Sequence, residues 1–235
     1  YLKERGFNRY EQQINNEIDL NLNSNGIFET ASPVKEIRNI AIHSFINDNS
    51  GYAVDLSIKH ICIKVNATKY IPFDEYATTF MDISNIYRTT IDFFTMKRFG
   101  LRKINFCFVN NVECINKYFN QRYFDCYDLF DESEVFASEK KENFSVDYCK
   151  LNLLCDIEQG QLNDKKVYKL TLDSDIYIDD TNNIEKDIFE DENISVLNER
   201  LFMIYVDALT DEFGRKLLSD EDIGQDEIIG VERNE

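Results

Sequence analysis

The sequence predicts an α+β fold: antiparallel sheet(s) in two loosely repeated strand-strand-helix blocks, each with a long helix packed on one face. Three observations predict it. Residues 54 to 65 alternate apolar and polar side chains, with a break at Lys59 and His60. Residues 73 to 94 carry apolar side chains at helical spacing, and a second alternating pair between 145 and 178 is followed by a second helical run.

Taken in order, Ile18, Leu20 and Leu22 alternate in "INNEIDLNL", and Ile40 and Ile42 do so in "NIAIHSFI" before "NDNSG" turns the chain. Val54, Leu56 and Ile58 then face one way, and Ile61, Ile63 and Val65 repeat the pattern, which describes an antiparallel meander with one wet face. Pro72 fixes a helix start. Phe73, Tyr76, Phe80, Ile83, Tyr87, Ile91 and Phe94 follow three or four residues apart, so the helix is expected to run to about Lys97. Gly100 stands where a left-handed cap favours glycine, and Lys97 and Arg98 stand where cations oppose the helix dipole. Ile104, Phe106 and Phe108 then alternate as a strand, which puts Arg102 and Lys103 on opposite faces, so one of the two turns inward or runs along the sheet.

Residues 111 to 144 read as an irregular connector, and "SVDYCKLNLLCDI", "GQLND" and "KKVYKLTLDSDIYI" read as strand, turn and antiparallel partner. Ile194, Leu197, Leu201, Ile204, Tyr205 and Ala208, continued by Phe213 and Leu217, predict one long final helix. The chain thus divides into an N-terminal meander with helix and strand (1 to 110), the connector (111 to 144), and a second hairpin with helix and acidic C-terminal tail (145 to 235). Without a Pro-, Gly- or Ser-rich linker, these are expected to form one compact unit sharing a sheet or an interface.

Composition sets limits. The 235 residues carry 44 acidic and 26 basic side chains, a formal charge of -18. That field repels phosphate backbones and argues against direct nucleic-acid binding. Residues 184 to 235 hold 16 acids and 5 bases, so this last part supplies most of the net charge. Cys62, Cys107, Cys114, Cys126, Cys149 and Cys155 have no metal-finger spacing and read as reduced, mostly buried thiols. Apolar stretches fall short of the ~20 residues of a membrane span. The chain is expected to be soluble and cytoplasmic, without a membrane partner and without a cofactor. It begins at Tyr1, which leaves a native start upstream open. The glycosylation-type triplets at Asn66, Asn143 and Asn193 are what an Asn-rich chain yields by chance.

"RFGLRKIN" (98 to 105) after a long helix, "KLTLDSDIYI" (169 to 178) on a late strand and "LTDEFGRKLL" (209 to 218) closing the last helix occur in a telling order. The set resembles a sporadically distributed, functionally uncharacterised family of bacterial proteins. In that family a helix leads into GLRYIN, a later strand reads LDID and a final helix ends in LTD. The likeness spans residues 50 to 218. Lys103 replaces an aromatic, and Ser174 interrupts LDID. The resemblance implies no activity, cofactor or catalytic residue; it implies a setting like that of mobile anti-phage defence genes.

Candidate chemistry is sparse. Asp173 and Asp175 project to one strand face about 7 Å apart, with Asp179 and Asp180 at the strand's end, a group that could hold Mg²⁺. In so acidic a chain a solvated acidic strand edge accounts for them more simply. His43 and His60 are the only histidines, which excludes His-rich metal sites. Glu139-x-Lys141 has the acid-base spacing of some nucleases but lies in a polar stretch without strand pattern. No phosphate-cradling glycine loop occurs.

Binding features are clearer. Arg98, Arg102 and Lys103 form a basic cluster, and Ile86, Thr90 and Phe93 make a second stripe on the first helix that another layer or a partner must cover. The sequence therefore points to a non-catalytic protein-interaction or assembly subunit, bacterial and defence-associated, whose partner is another protein subunit, a second copy of itself, or both. The alternatives are a metal-dependent hydrolase or nuclease using Asp173, Asp175 and Asp179, and an acidic DNA mimic.

Overall fold

A computed structural model describes residues 1–18, 37–65, 71–125, 136–162, 164–190, 194–219 and 228–229. Cys126, Asn66, Asn193, residues 126–135 of the expected connector and most of the acidic tail lie outside the described residues. The fold is α+β, with antiparallel strands in two separate sheets. The chain divides after Phe94 into two units, Tyr1–Phe94 and Thr95–Glu235.

In the first unit, strands β1 (Arg9–Ile18), β2 (Ile37–Asn47), β3 (Tyr52–Leu56) and β4 (Ile61–Val65) form an antiparallel sheet in chain order. Helix α1 (Phe73–Thr90) belongs to its core, where Ile83 is buried with Phe7, Tyr52 and Val54, and Tyr76 and Tyr87 pack against them. Gly51 closes the β2–β3 turn with φ of 73° and its N–H donating to the Asn47 carbonyl at 2.8 Å, a left-handed position suited to glycine.

α1 stops earlier than its apolar spacing predicts. Thr89 Oγ1 donates to the carbonyls of Asn85 and Ile86, Ile91 is already extended, and Phe93 has a φ of 62°. β-branched Thr89, Thr90 and Ile91 favour extended backbone at this point. Lys97 and Arg98 are therefore not helix-ending cations; Arg88 holds that place. The stripe Ile86, Thr90, Phe93 is likewise broken before Phe93.

The second unit starts with β5 (Phe99–Val109), which begins five residues ahead of its first alternating apolar side chain, Ile104. Gly100 lies inside this strand. A Cβ there would meet Tyr177 Cβ at 2.9 Å and the Ile176 carbonyl at 3.0 Å, so close strand approach, not a helix cap, is what calls for glycine. Helix α2 (Val112–Tyr118) follows, its Cys114 N–H donating to the Asn111 side chain at 2.9 Å. Strands β6 (Ala137–Val146), β7 (Cys149–Leu162) and β8 (Lys165–Ile178) form a meander, and the sheet order is β6-β7-β8-β5 with the two-residue β9 (Ile228–Ile229) beyond β5. β5, which the sequence assigns to the first block, thus pairs along its whole length with the last long strand.

Two further expectations are corrected. "SEKKEN" is not part of an irregular connector but the body of β6, and the strand read from Ser145 onward is split by a hairpin turn in which Asp147 has a φ of 54°. The single final helix is two. After a helical turn α3 (Thr181–Asn183) and a π-helical stretch Ile184–Glu190, helix α4 (Ser195–Asp207) ends, and α5 (Asp211–Ser219) begins anew. Thr210 Oγ1 accepts from the Phe213 N–H and donates to the Lys117 carbonyl, so "LTD" starts α5 instead of ending a helix.

The core of this unit lies on one face of the sheet. Leu153, Cys155 and Ile157 of β7, Tyr168, Leu170 and Leu172 of β8 and Val109 of β5 meet Ile115 and Tyr118 of α2, Ala208, and Phe213 of α5. Tyr118 and Phe213 rings lie 5.1 Å apart.

Candidate functional site

Strand register decides which side chains share the other face of the second sheet. β5 alternates, with its odd-numbered residues more buried and Gly100, Arg102, Ile104 and Phe106 exposed. Arg102 lies opposite Asp175, and Ile104 opposite Asp173; Asp175 in turn faces Asn152, and Asp173 faces Leu154. Asp173 and Asp175 therefore share one face, as strand period requires.

The basic cluster and the acidic cluster meet there. Arg102 grips Asp173 with two hydrogen bonds, at 2.8 and 2.5 Å, in the forked geometry a guanidinium matches to a carboxylate. Arg98 donates to Asp175 at 2.7 Å while its guanidinium sits 4.0 Å over the Tyr177 ring, and Asn152 donates to the same carboxylate at 3.3 Å. Lys150 donates to Asp179 at 2.5 Å, which raises the ammonium above its ordinary value. Asp180 caps α3. Lys103 is the residue that turns inward: it lies opposite buried Ser174 and donates to Asn198 of α4 at 2.6 Å, and burial lowers it from the usual lysine range.

A cation at Asp173, Asp175 and Asp179 would have to displace two arginines and a lysine. Among the described residues no group of three or more His, Cys, Asp or Glu side chains gathers as a metal-holding set. The carboxylates of a DNA mimic are here interleaved with Arg98, Arg102 and Lys150. His43 Nδ1 is hydrogen bonded to Tyr10 at 2.8 Å, and His60 Nδ1 to Ser57 at 3.0 Å within the β3–β4 turn. Burial pushes the Cys107 thiol up to about 12, and the Cys155 thiol, chiefly by burial, to about 11, far from thiolate chemistry at neutral pH. Glu139 and Lys141 lie on β6 opposite Asp156 and Leu154.

Beside the ion pairs the face is apolar. Ile104 is 56% and Phe106 58% exposed, and the Phe106 and Phe108 rings meet edge to face at 5.9 Å. The sequence identifies this strand but not that its large side chains face away from the core. Phe99 and Val109 are buried and Cys107 is half-buried on the odd-numbered side of β5, whereas Ile104 and Phe106 on the even-numbered side are exposed. Of the remaining interaction candidates, Ile86 is 44% and Phe93 99% exposed in the first unit. Sequence reading passed over a third apolar patch: Phe202, Met203 and Val206 on α4 are exposed although Leu197 and Leu201 of the same helix are buried. Two interleaved apolar stripes in 195 to 207 would have signalled it.

No helix among the described residues is long and apolar enough to cross a membrane. No family model, no curated protein and no solved structure matches the chain.

Proposed function

We propose that the chain is a non-catalytic protein-interaction or assembly subunit that receives a partner on the ion-paired face of its second sheet. The carrying observation is that Ile104 and Phe106 are more than half exposed in mid-strand, beside charged groups already joined to one another. A patch of this kind has the make-up of an interface, an apolar centre bordered by polar groups. Arg98, Arg102 and Lys150 are held before a partner arrives, so docking loses less side-chain freedom. The neutralised carboxylates and the high thiol values support a binding role over a reactive one. The partner is another protein subunit, a second copy, or both; the charge of -18 speaks against a nucleic acid. The resemblance to the bacterial family suggests that the setting is anti-phage defence.

The test is differential. Tagged full-length chain and its Ile104→Asp/Phe106→Asp variant are expressed in the native host, and captured proteins are quantified, with light scattering reporting self-association. The reading expects a stoichiometric partner, or a dimer, that the double variant loses about tenfold or more while circular dichroism is unchanged. Equal capture by both chains, or a monomer with no stoichiometric partner, overturns it.

A further inference from the structure

Helix α4 is apolar on two sides. Leu197, Leu201 and, beyond the helix end, Ala208 are buried, while Phe202, Met203 and Val206 stand 58%, 69% and 50% exposed. Adjacent exposed apolar side chains rimmed by polar residues mark an interaction surface. The exposed residues have the spacing by which one helix face meets another: Glu199, Phe202, Met203 and Val206 fall at steps of three, one and three, so they line a single stripe.

The charges around that stripe select its occupant. Glu199 precedes Met203 by one turn on the same ridge and Asp207 follows it by one turn, so Met203 sits between two carboxylates. Glu199 is exposed and has no ion pair among the described residues. Asp207 accepts from Tyr123 at 2.8 Å and from Arg122 at 3.4 Å. The nearest cation on the helix, Arg200, is turned to Asp147 at 2.6 Å and to the Val146 carbonyl at 3.2 Å. The stripe lies in the part of the chain that carries 16 acids against 5 bases. A second copy would bring the same carboxylates against these, at a formal charge of -18 each.

We infer that the outer side of α4 is a docking site for a basic amphipathic helix of another protein. Apolar side chains of that helix cover Phe202, Met203 and Val206, and lysines or arginines at its margins reach Glu199 and Asp207. This site is separate from the sheet face, so the subunit can join two partners, and the two proposals fail independently.

Photocrosslinking decides it. Benzoylphenylalanine replaces Met203 in the full-length chain, the cells that naturally make the protein are irradiated, and the joined peptide is sequenced; a second chain carries the crosslinker at Phe106. The expected adduct at 203 is a segment of a different protein with apolar residues three and four apart and flanking lysines or arginines. Recovery of that protein should fall about tenfold in Glu199→Lys and in Val206→Asp and decline with added salt, while recovery at Phe106 is unmoved. An adduct with a second copy, an adduct with a segment lacking basic residues, or no adduct at 203 overturns the inference. Loss at Phe106 alone would instead strike the sheet-face reading.

Discussion

Asp55 in the first sheet and Asp173 in the second are 4% and 9% exposed, yet different partners hold them. Asp55 receives the Ser44 hydroxyl at 2.7 Å and the Lys64 ammonium from the neighbouring strand. Asp173 receives one guanidinium, twice. A lysine is a point charge on a flexible stem and leaves carboxylate lone pairs open, so the first site needs a neutral hydroxyl as well; the arginine fork fills its side unaided. In both pairs the cation is mostly in water, with Lys64 65% and Arg102 58% exposed, so each site is a buried anion under a solvated cation, and salt screens the Coulomb part of the attraction. An aspartate in a sheet is thus not by itself a site: its worth depends on whether neighbouring strands supply donors, and here they do so twice.

The largest loss is expected at Asp55. Ser44→Ala with Lys64→Met leaves the carboxylate buried without either donor and should cost about 3 kcal/mol in urea unfolding; a loss below about 1 kcal/mol would mean water replaces both donors. The same site has a pH signature. Burial opposes its charge, but the hydrogen bonds from Lys64 and Ser44 together outweigh that and hold the carboxyl below its ordinary value. The stability it contributes is therefore present above the ordinary carboxylate range and lost as pH falls through the folded value. Asp55→Asn should flatten the acid side of a Tm-against-pH curve; an unchanged acid limb would contradict the assignment.

A smaller loss is expected in the second sheet. Arg102→Leu should cost about 2 kcal/mol, less than the full value for a buried pair because the guanidinium is more than half in water. Arg102→Lys should recover only part of it, since an ammonium cannot reproduce the fork; full recovery by lysine would erase the distinction between the two sites. The smallest effect has the opposite sign. Asp156 lies directly across from Glu139, and burial first, then Glu158 and Glu139, raise its carboxyl above the ordinary value. The penalty is absent below the ordinary range and grows as pH rises through the folded value. Asp156→Asn should stabilise the protein at neutral pH by about 0.5 kcal/mol and do nothing near pH 3 in paired thermal melts.

Much of the architecture was legible because alternation and helical period are local. Residues 52 to 65 and 149 to 178 announced their strands, and Tyr76, Ile83 and Tyr87 announced the packed side of α1. What escaped depended on neighbours distant in the chain. "SEKKENFSV" carries charge at successive positions, so nothing local marks it as a strand; β7 makes it one by pairing with all of it. The end of α1 was masked because Ile91 and Phe94 continue the helical spacing while the β-branched run stops the helix. Local sequence makes glycine at position 100 look like a helix cap, because the residue that demands it, Tyr177, comes seventy-seven positions later. The candidate face was half visible: strand period puts Asp173 and Asp175 on one side, but which cations lie across from them follows from the β5–β8 register alone.

β6 is the outermost strand on its side of the second sheet, and its middle reads Glu139, Lys140, Lys141, Glu142. In an antiparallel pairing of two such strands, the register that sets Lys140 against Lys141 also sets Glu139 against Glu142, so like charges meet throughout the middle; a register centred on Lys140 sets that lysine against its own twin but places Glu139 across from Lys141. Charged side chains along this outer strand disfavour the like-charge register of edge-to-edge pairing.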